Sequence, residues 1–167
     1  VLLLGIVTMA LTLTMMRGSM LDEIQAALKG TAAATLAAYD QNAGQYIQST
    51  NGYVWKGNYN VSKSGSLVDR IKENTGMDVT FFYGKTRVMT SAKDKNGARV
   101  LRSEVGEAIV KQVLQGKKEY FSDAVSIEGT LNYGYFMPVY QENSDSDVVG
   151  MVFVGTNKQQ KDAIINQ

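Results

Sequence analysis

The first sixteen residues contain no charged side chain, and this run constrains the chain more than any other stretch. As an α-helix, sixteen residues span about 24 Å, which is short of the roughly 30 Å hydrocarbon core of a bilayer. We therefore predict a transmembrane helix over residues 1–19 whose beginning lies outside this sequence. A secretory signal peptide and a buried core helix are the alternatives, but no small-x-small cleavage pattern follows the run.

The helical pattern continues beyond the apolar run. Residues 20–48 are free of proline and rich in alanine, the strongest helix former. Small and apolar side chains recur there at alternating steps of three and four, at Leu21, Ile24, Leu28, Thr31, Thr35 and Ala38. This pattern suits packing on a sheet on one side and on a partner helix on the other. We predict one long helix through residue 48 and a homodimer formed through it.

Composition excludes several kinds of chemistry. The chain has no cysteine and no histidine, which removes disulfides, thiolate catalysis, Ser-His-Asp hydrolysis and histidine-ligated metals. Seventeen basic and sixteen acidic residues show no basic cluster of the kind that binds nucleic acid. We therefore expect no enzyme, no metal, no cofactor and no nucleic-acid partner. An extracytoplasmic enzyme is the weaker alternative, because Glu104, Glu107, Glu119 and Glu128 are scattered without a paired arrangement.

Residues 78–91 predict a β-hairpin. Apolar and polar side chains alternate in its first half, and Gly84-Lys85 provides a two-residue turn. The return strand places Arg87, Met89 and Ser91 on one face. A buried cation costs several kcal/mol unless it has a partner. The partner of Arg87 is therefore either a carboxylate of this chain, such as Asp78 or Glu128, or a ligand.

The remaining segments predict an α+β domain. Residues 49–66 form an irregular loop or short edge strands, and Ser66 caps a short helix through residue 74. A helix capped by Ser103 covers residues 103–114, and three strands cover 117–127, 130–140 and 148–155. Five mostly antiparallel strands with helices on one face result. The polar residues 157–167 are predicted to connect to a second membrane helix.

Five segments in a fixed order resemble a known family. They are residues 78–91 (DVTFFYGKTRVMTS), 93–99 (KDKNGAR), 113–121 (VLQGKKEYF), 133–139 (YGYFMPV) and 149–155 (VGMVFVG). Together they resemble the single Cache domain of bacterial methyl-accepting chemotaxis proteins, over roughly residues 67–155. The resemblance implies a long N-terminal helix packed on a five-stranded antiparallel PAS-like sheet, covering residues 20–156 and lying outside the cytoplasm at the cell membrane. It also implies a non-catalytic sensor that binds a small molecule and signals across the membrane in chemotaxis.

The resemblance also suggests where the ligand binds. Related sensors of citrate and fumarate use a strand arginine, a polar residue three positions later, and polar side chains on the proline-ending strand. The expected ligand-binding residues here are Arg87, Thr90, Ser91, Tyr133, Tyr135, Phe81 and Tyr83. A single guanidinium suits one carboxylate held by two parallel hydrogen bonds.

Two other protein classes fit the same outline. The domain could equally sense for a histidine kinase or a diguanylate cyclase, because the cytoplasmic output is not in the sequence. A pilin-like subunit also combines an apolar N-terminal helix with a sheet domain. It would usually carry a glutamate near the fifth apolar residue and a C-terminal disulfide, and the sequence has neither.

Overall fold

A computed structural model describes residues 1–102 and 104–165 of the chain. Its helices in chain order are α1 (Leu2–Asp40), α2 (Gly65–Thr75), α3 (Glu107–Ile109), which continues as a π-helical segment (Val110–Gln115), and α4 (Lys158–Ile165). Its strands are β1 (Tyr46–Gln48), β2 (Val54–Lys56), β3 (Tyr59–Asn60), β4 (Asp78–Tyr83), β5 (Thr86–Thr90), β6 (Tyr120–Ile127), β7 (Thr130–Tyr140) and β8 (Val148–Asn157).

The main sheet has five strands in the order β5-β4-β8-β7-β6, and every neighbouring pair is antiparallel. The nearly continuous apolar sequence of β8 is explained by its central position, where both faces of the strand are covered. This architecture confirms the predicted α+β fold with a long N-terminal helix and a five-stranded PAS-like sheet.

Helices lie on both faces of the sheet, which corrects the expectation of helices on one face. Helix α1 covers one face with the buried side chains of Ile24, Leu28 and Tyr39, which pack on a cluster that includes Phe81. The other face carries a second cluster around Phe82, which the segment from residue 105 to the π-helix covers. Two separate apolar clusters therefore sandwich the sheet.

Helix α1 ends at Asp40, eight residues before the predicted end. The side chain of Asn42 donates hydrogen bonds to the carbonyl oxygens of Ala38 and Tyr39, at 3.4 and 3.0 Å, and so satisfies the last turn. Gly44 then adopts a φ of +116°, which favours glycine and turns the chain. Residues 46–60 form a small antiparallel sheet, β1-β2-β3, so the short-strand alternative for this region is correct.

Other boundaries also differ from those predicted. Helix α2 begins after Ser64 and not at Ser66. The middle helix begins only at Glu107, because Gly106 is still extended (φ −63°, ψ 154°). Its predicted cap, Ser103, lies outside the described residues. Strand β6 begins at Tyr120, three residues later than predicted, after the left-handed Lys117 (φ 56°).

Candidate ligand-binding site

A cavity of about 290 Å³ lies on the sheet face opposite α1, beneath residues 104–109. Its apolar walls are the side chains of Phe82, Val105, Ile109, Tyr120, Val125, Phe136 and Phe153. Its polar lining residues are Arg87, Glu104, Ser122 and Ser126. The volume is at the lower end of the range for small-molecule pockets, which begins at about 300 Å³. The cavity therefore suits a compact ligand with a large apolar part.

Arg87 supplies the cationic group of this cavity. Strand β5 pairs Arg87 with Phe82 across the hairpin, and the guanidinium carbon lies 5.3 Å from the centre of the Phe82 ring. This distance is typical of a cation–π contact. Burial lowers the pKa of Arg87 from its ordinary value. An arginine nevertheless remains protonated at neutral pH, so Arg87 contributes a positive charge to the lining of the cavity.

A β-bulge directs Arg87 and Thr90 to the same face of the sheet. Thr80 pairs with Thr90 and Phe82 pairs with Arg87, so two residues of β5 oppose the single residue Phe81 of β4. Without the bulge, two residues three positions apart on a strand would point to opposite faces. The bulge thus explains how Arg87 and Thr90, three positions apart, lie on the same face of the sheet.

Thr90 and Ser91 hold the hairpin together in this structure. The Thr90 hydroxyl lies 2.8 Å from that of Thr80, and it accepts a hydrogen bond from the backbone N–H of Ala92. The Ser91 hydroxyl donates to an Asp78 carboxylate oxygen at 2.9 Å and accepts from the backbone N–H of Val79 at 2.8 Å. Neither residue lines the cavity beside Arg87.

The aromatic residues expected around Arg87 lie on the other side of the sheet. Phe81, Tyr133 and Tyr135 are buried in the cluster beneath α1, and the half-buried Tyr83 packs against the same cluster. Arg87 and these four side chains therefore do not share one pocket, which corrects the expected geometry. The reason is strand parity, because odd-numbered residues of β4 and β7 face α1 while Phe82 and Phe136 face the cavity.

The two tyrosines have partners within the domain. The Tyr133 hydroxyl donates to the carboxylate of Asp162 in α4, and burial together with this bond raises the pKa of Tyr133 to about 12. Burial and the nearby charge of Glu119 raise the pKa of Tyr135 to about 12 as well. Both hydroxyls are therefore neutral at physiological pH.

Sequence analysis missed most of the residues that line the cavity. The strands carry apolar side chains on both faces, and three of those facing the cavity are Phe82, Phe136 and Phe153. The alternation alone does not indicate which face of the sheet binds a ligand. One signal was available, because counting outward from the Gly84-Lys85 turn pairs Arg87 with Phe82 and not with Phe81. Residues 104–109 carried no comparable signal.

The mouth of the cavity combines opposite charges. Glu104 lines it and lies 3.6 Å from the ammonium group of Lys85, and both side chains are exposed. Within residues 1–102 and 104–165, no group of three or more carboxylates could hold a metal ion. The arrangement can bind one small anion against an apolar wall. Its lining offers a guanidinium, the hydroxyls of Ser122 and Ser126, and aromatic faces.

Comparison with protein families gave one match over most of the chain. Residues 59–167 match the family model described as "Single cache domain 3". This range includes the whole main sheet, the cavity and α4. No curated protein sequence matched the chain.

Several solved structures of ligand-binding and sensor domains share this fold. The ligand-binding domain of the Campylobacter jejuni chemoreceptor Tlp3, in complex with L-valine, matches with a TM-score of 0.63 and 12% identity over 93% of this chain and 60% of that one. The E. coli DcuS sensor domain matches with a TM-score of 0.51 and 15% identity over 92% of this chain and 99% of its own. An extracellular ligand binding receptor from Desulfohalobium retbaense matches with a TM-score of 0.58 and 18% identity over 92% and 26% of the two chains. The chain thus spans about three fifths of the Tlp3 chain, and at these identities the matches show a shared fold.

Proposed function

The chain belongs to the single Cache domain 3 family, and from this membership we propose that it is the extracytoplasmic ligand-sensing domain of a bacterial transmembrane receptor. Helix α1 supports the membrane part of the proposal. It is long and apolar enough to cross a bilayer, and residues 1–19 are all exposed. Chemotaxis is the preferred output because Tlp3 and a further structural match are chemoreceptor proteins. A histidine kinase or cyclase output is the alternative.

One observation carries the proposed ligand class. A guanidinium lies against an aromatic ring inside a cavity of about 290 Å³ whose other walls are mostly apolar. Such a cavity suits a molecule with a single carboxylate and a short apolar body, because arginine binds a carboxylate through two parallel hydrogen bonds. A citrate-like polyanion fits less well, because Arg87 is the only cationic side chain among the described residues that line the cavity. We therefore propose short-chain monocarboxylates and apolar amino acids as ligands, and a non-catalytic role.

The test is a thermal-shift screen of the full chain in detergent against small carboxylates and amino acids. Each hit is then titrated by calorimetry against the wild type and Arg87→Ala. Losing a charge-assisted hydrogen bond costs about 2–3 kcal/mol, so the variant is expected to bind roughly 30- to 150-fold more weakly.

Two further variants complete this test. Arg87→Lys keeps the positive charge but loses the two parallel N–H donors of the guanidinium, so this variant is expected to bind each hit with intermediate affinity. Arg70→Ala removes an exposed arginine of α2 that lies outside the cavity, and its affinity should equal that of the wild type. Equal affinities of wild type and Arg87→Ala for every hit would contradict the proposed anchor.

The proposed receptor is a homodimer through α1. The side of the helix that faces away from the sheet exposes small side chains at Ala26, Gly30, Ala33 and Ala37, which allow close approach of a second helix. The chain contains no cysteine, so Ala33→Cys introduces a single thiol. Oxidation of that variant in membranes should produce a disulfide-linked dimer. A Lys111→Cys control on the opposite face of the sheet should stay monomeric.

A further inference from the structure

The turn between β6 and β7 exposes an apolar side chain at one end of the sheet. The turn consists of Glu128 and Gly129, which both have positive φ, and it is followed by Thr130 and Leu131. Leu131 is 50% exposed even though it belongs to a strand of the main sheet. A cleft separates this hairpin tip, residues 127–131, from α4, where Ile164 is 60% exposed.

One ion pair and one electrostatic interaction relate the position of this tip to that of α1. The ammonium group of Lys29 lies 3.7 Å from the carboxylate of Glu119, which directly precedes β6. Nearer to the tip, the charge of Arg17 opposes the rise in the pKa of Tyr133, which indicates that the two side chains are near each other. The direction from Glu119 to the tip is therefore the same as the direction along α1 from Lys29 toward the N-terminus.

The distances place the tip beside the uncharged part of α1. Glu119 and Ile127 are eight strand positions apart, which is about 26 Å at about 3.3 Å per residue. The same distance along a helix corresponds to about 17 residues, which leads from Lys29 to about Thr12. The irregular register of β6 between Ser122 and Val125 shortens this estimate somewhat. For α1 running alongside β6, this estimate places the tip level with about residues 12–16, on the N-terminal side of Arg17.

We propose that the hairpin tip, residues 127–131, rests on the surface of the bilayer that α1 crosses, with Leu131 inserted at the headgroup level. This inference rests on the proposed function, because it requires α1 to span a membrane. The proposed partner of the tip is a lipid surface, because the estimate places the tip level with the segment of α1 that lipid would surround. Binding of a headgroup is compatible with the charges nearby, where Lys158 and Lys161 accompany Asp162 on α4.

Site-directed spin labelling of the full chain in phosphatidylcholine–phosphatidylglycerol liposomes tests this contact. The chain has no native cysteine, so each of Leu131→Cys, Ile47→Cys and Leu11→Cys gives one labelling site. Ile47 is the matched aqueous control, since it is 51% exposed but lies in the small sheet far from the tip. The accessibility of each label to oxygen and to a water-soluble nickel complex is measured by power saturation.

We expect the label at position 131 to be at least threefold less accessible to the nickel complex than the label at position 47. A Thr130→Cys label, at an exposed position of the same tip, should give the same result if Leu131→Cys does not fold. Equal nickel accessibility at positions 131, 130 and 47, with position 11 in the hydrocarbon, would overturn the contact and leave the membrane span intact. An aqueous label at position 11 would overturn both the span and the contact.

Discussion

Lys56 is a buried charge that holds the chain directly after the end of α1. Its side chain is only 2% exposed. Its ammonium group donates hydrogen bonds to the carbonyl oxygens of Asn42, at 2.7 Å, and of Gly44, and it lies 3.5 Å from the carboxylate of Glu142. The lysine thereby connects the chain that leaves α1 to the turn between β7 and β8.

We therefore predict that Lys56→Met is strongly destabilising. The substitution preserves the apolar stem but leaves two carbonyl oxygens and a carboxylate without their cation, which costs about 3 kcal/mol. Urea denaturation followed by circular dichroism measures the loss. The control is Lys111→Met, at an exposed position of the π-helical segment, for which we expect a change below about 0.5 kcal/mol. Equal stabilities of the two variants would show that Lys56 does not hold the chain after α1 to the turn between β7 and β8.

Asp69 and Arg99 form the ion pair that anchors the loop after β5. Two parallel hydrogen bonds, each 2.8 Å long, join the carboxylate to the guanidinium, which also donates to the carbonyl oxygen of Thr90. The hydrogen bonds from Arg99 lower the pKa of Asp69 below its ordinary value. The stabilisation is therefore fully present above the ordinary aspartate pKa of about 4 and disappears as the pH falls through the lowered pKa.

This pH dependence predicts the effect of Asp69→Asn on stability. The variant should be less stable than the wild type by about 1 kcal/mol between pH 5 and pH 8, because the pair is partly exposed. The difference should shrink as the pH falls below about 4. Thermal denaturation across this pH range measures it, and Asp145→Asn in the exposed β7–β8 turn is the control. A difference that grows in acid would contradict the assignment.

At the scale of single residues, sequence reasoning identified Arg87 but assigned it the wrong neighbours. The unusual feature, a cation on a half-buried strand, was visible from residue type alone. Which aromatic residue shares its face depends on strand pairing, and the two-residue turn pairs Arg87 with Phe82. The bulge at Val88 and Met89 lies beyond this pair and decides only the face of Thr90. Because one step along a strand reverses its face, a small uncertainty in register exchanges Phe82 for Phe81.

At the scale of elements, α4 is held to the sheet by a small group of side chains. Tyr133 donates to Asp162, its ring stacks on Phe121 with centroids 6.4 Å apart, and the ammonium group of Lys158 lies 5.4 Å from the ring centre. Phe121 lies in β6 between Tyr120 and Ser122, which line the cavity on the opposite face. The strand that lines the cavity therefore also packs against the tyrosine that holds α4.

We predict that Tyr133→Phe loosens α4 and leaves the sheet intact. The ring and its stacking are retained, but the hydrogen bond to Asp162 is lost, at a cost of about 1 kcal/mol. Hydrogen–deuterium exchange should show faster exchange in residues 158–165 and unchanged exchange in β8. Tyr53→Phe, at an exposed position, is the control. Unchanged exchange in α4 would show that the hydrogen bond between Tyr133 and Asp162 does not hold this helix to the sheet.

Elements were predicted well where their pattern is local. The strand at 130–140 agrees with β7 at both ends, because a turn and an alternating pattern define it. The end of α1 was missed because the alanine-rich pattern before residue 40 was extended too far. The chain turns where Gly44 lies against the backbone of Gly57 and the carbonyl oxygen of Asn42 accepts a hydrogen bond from Lys56, which are contacts with residues outside the helix. The middle helix was predicted too long because residues 104–106 beside the cavity are not helical, and Gly106 is extended.

At the scale of the whole molecule, α1 has two halves that differ in composition and burial. Residues 1–19 are exposed along their entire length, whereas the buried residues of the helix begin at Ile24 and continue to Tyr39. The folded domain therefore uses only the second half of the helix for its core. The composition of the first half suits lipid, and the periodicity of the second half suits the sheet.

This division predicts the outcome of two truncations. A chain that begins at Met20 keeps every buried residue of α1 and should fold with the stability of the full chain, whereas one that begins at Ala33 loses Ile24, Leu28 and Ala32. Removing the buried Ile24 and Leu28 costs about 2–5 kcal/mol each, which is comparable to the whole stability of about 5–15 kcal/mol for a domain. Near-ultraviolet circular dichroism and urea denaturation distinguish the two chains. A folded chain from Ala33, or an unfolded one from Met20, would show that the boundary between the membrane helix and the domain lies elsewhere.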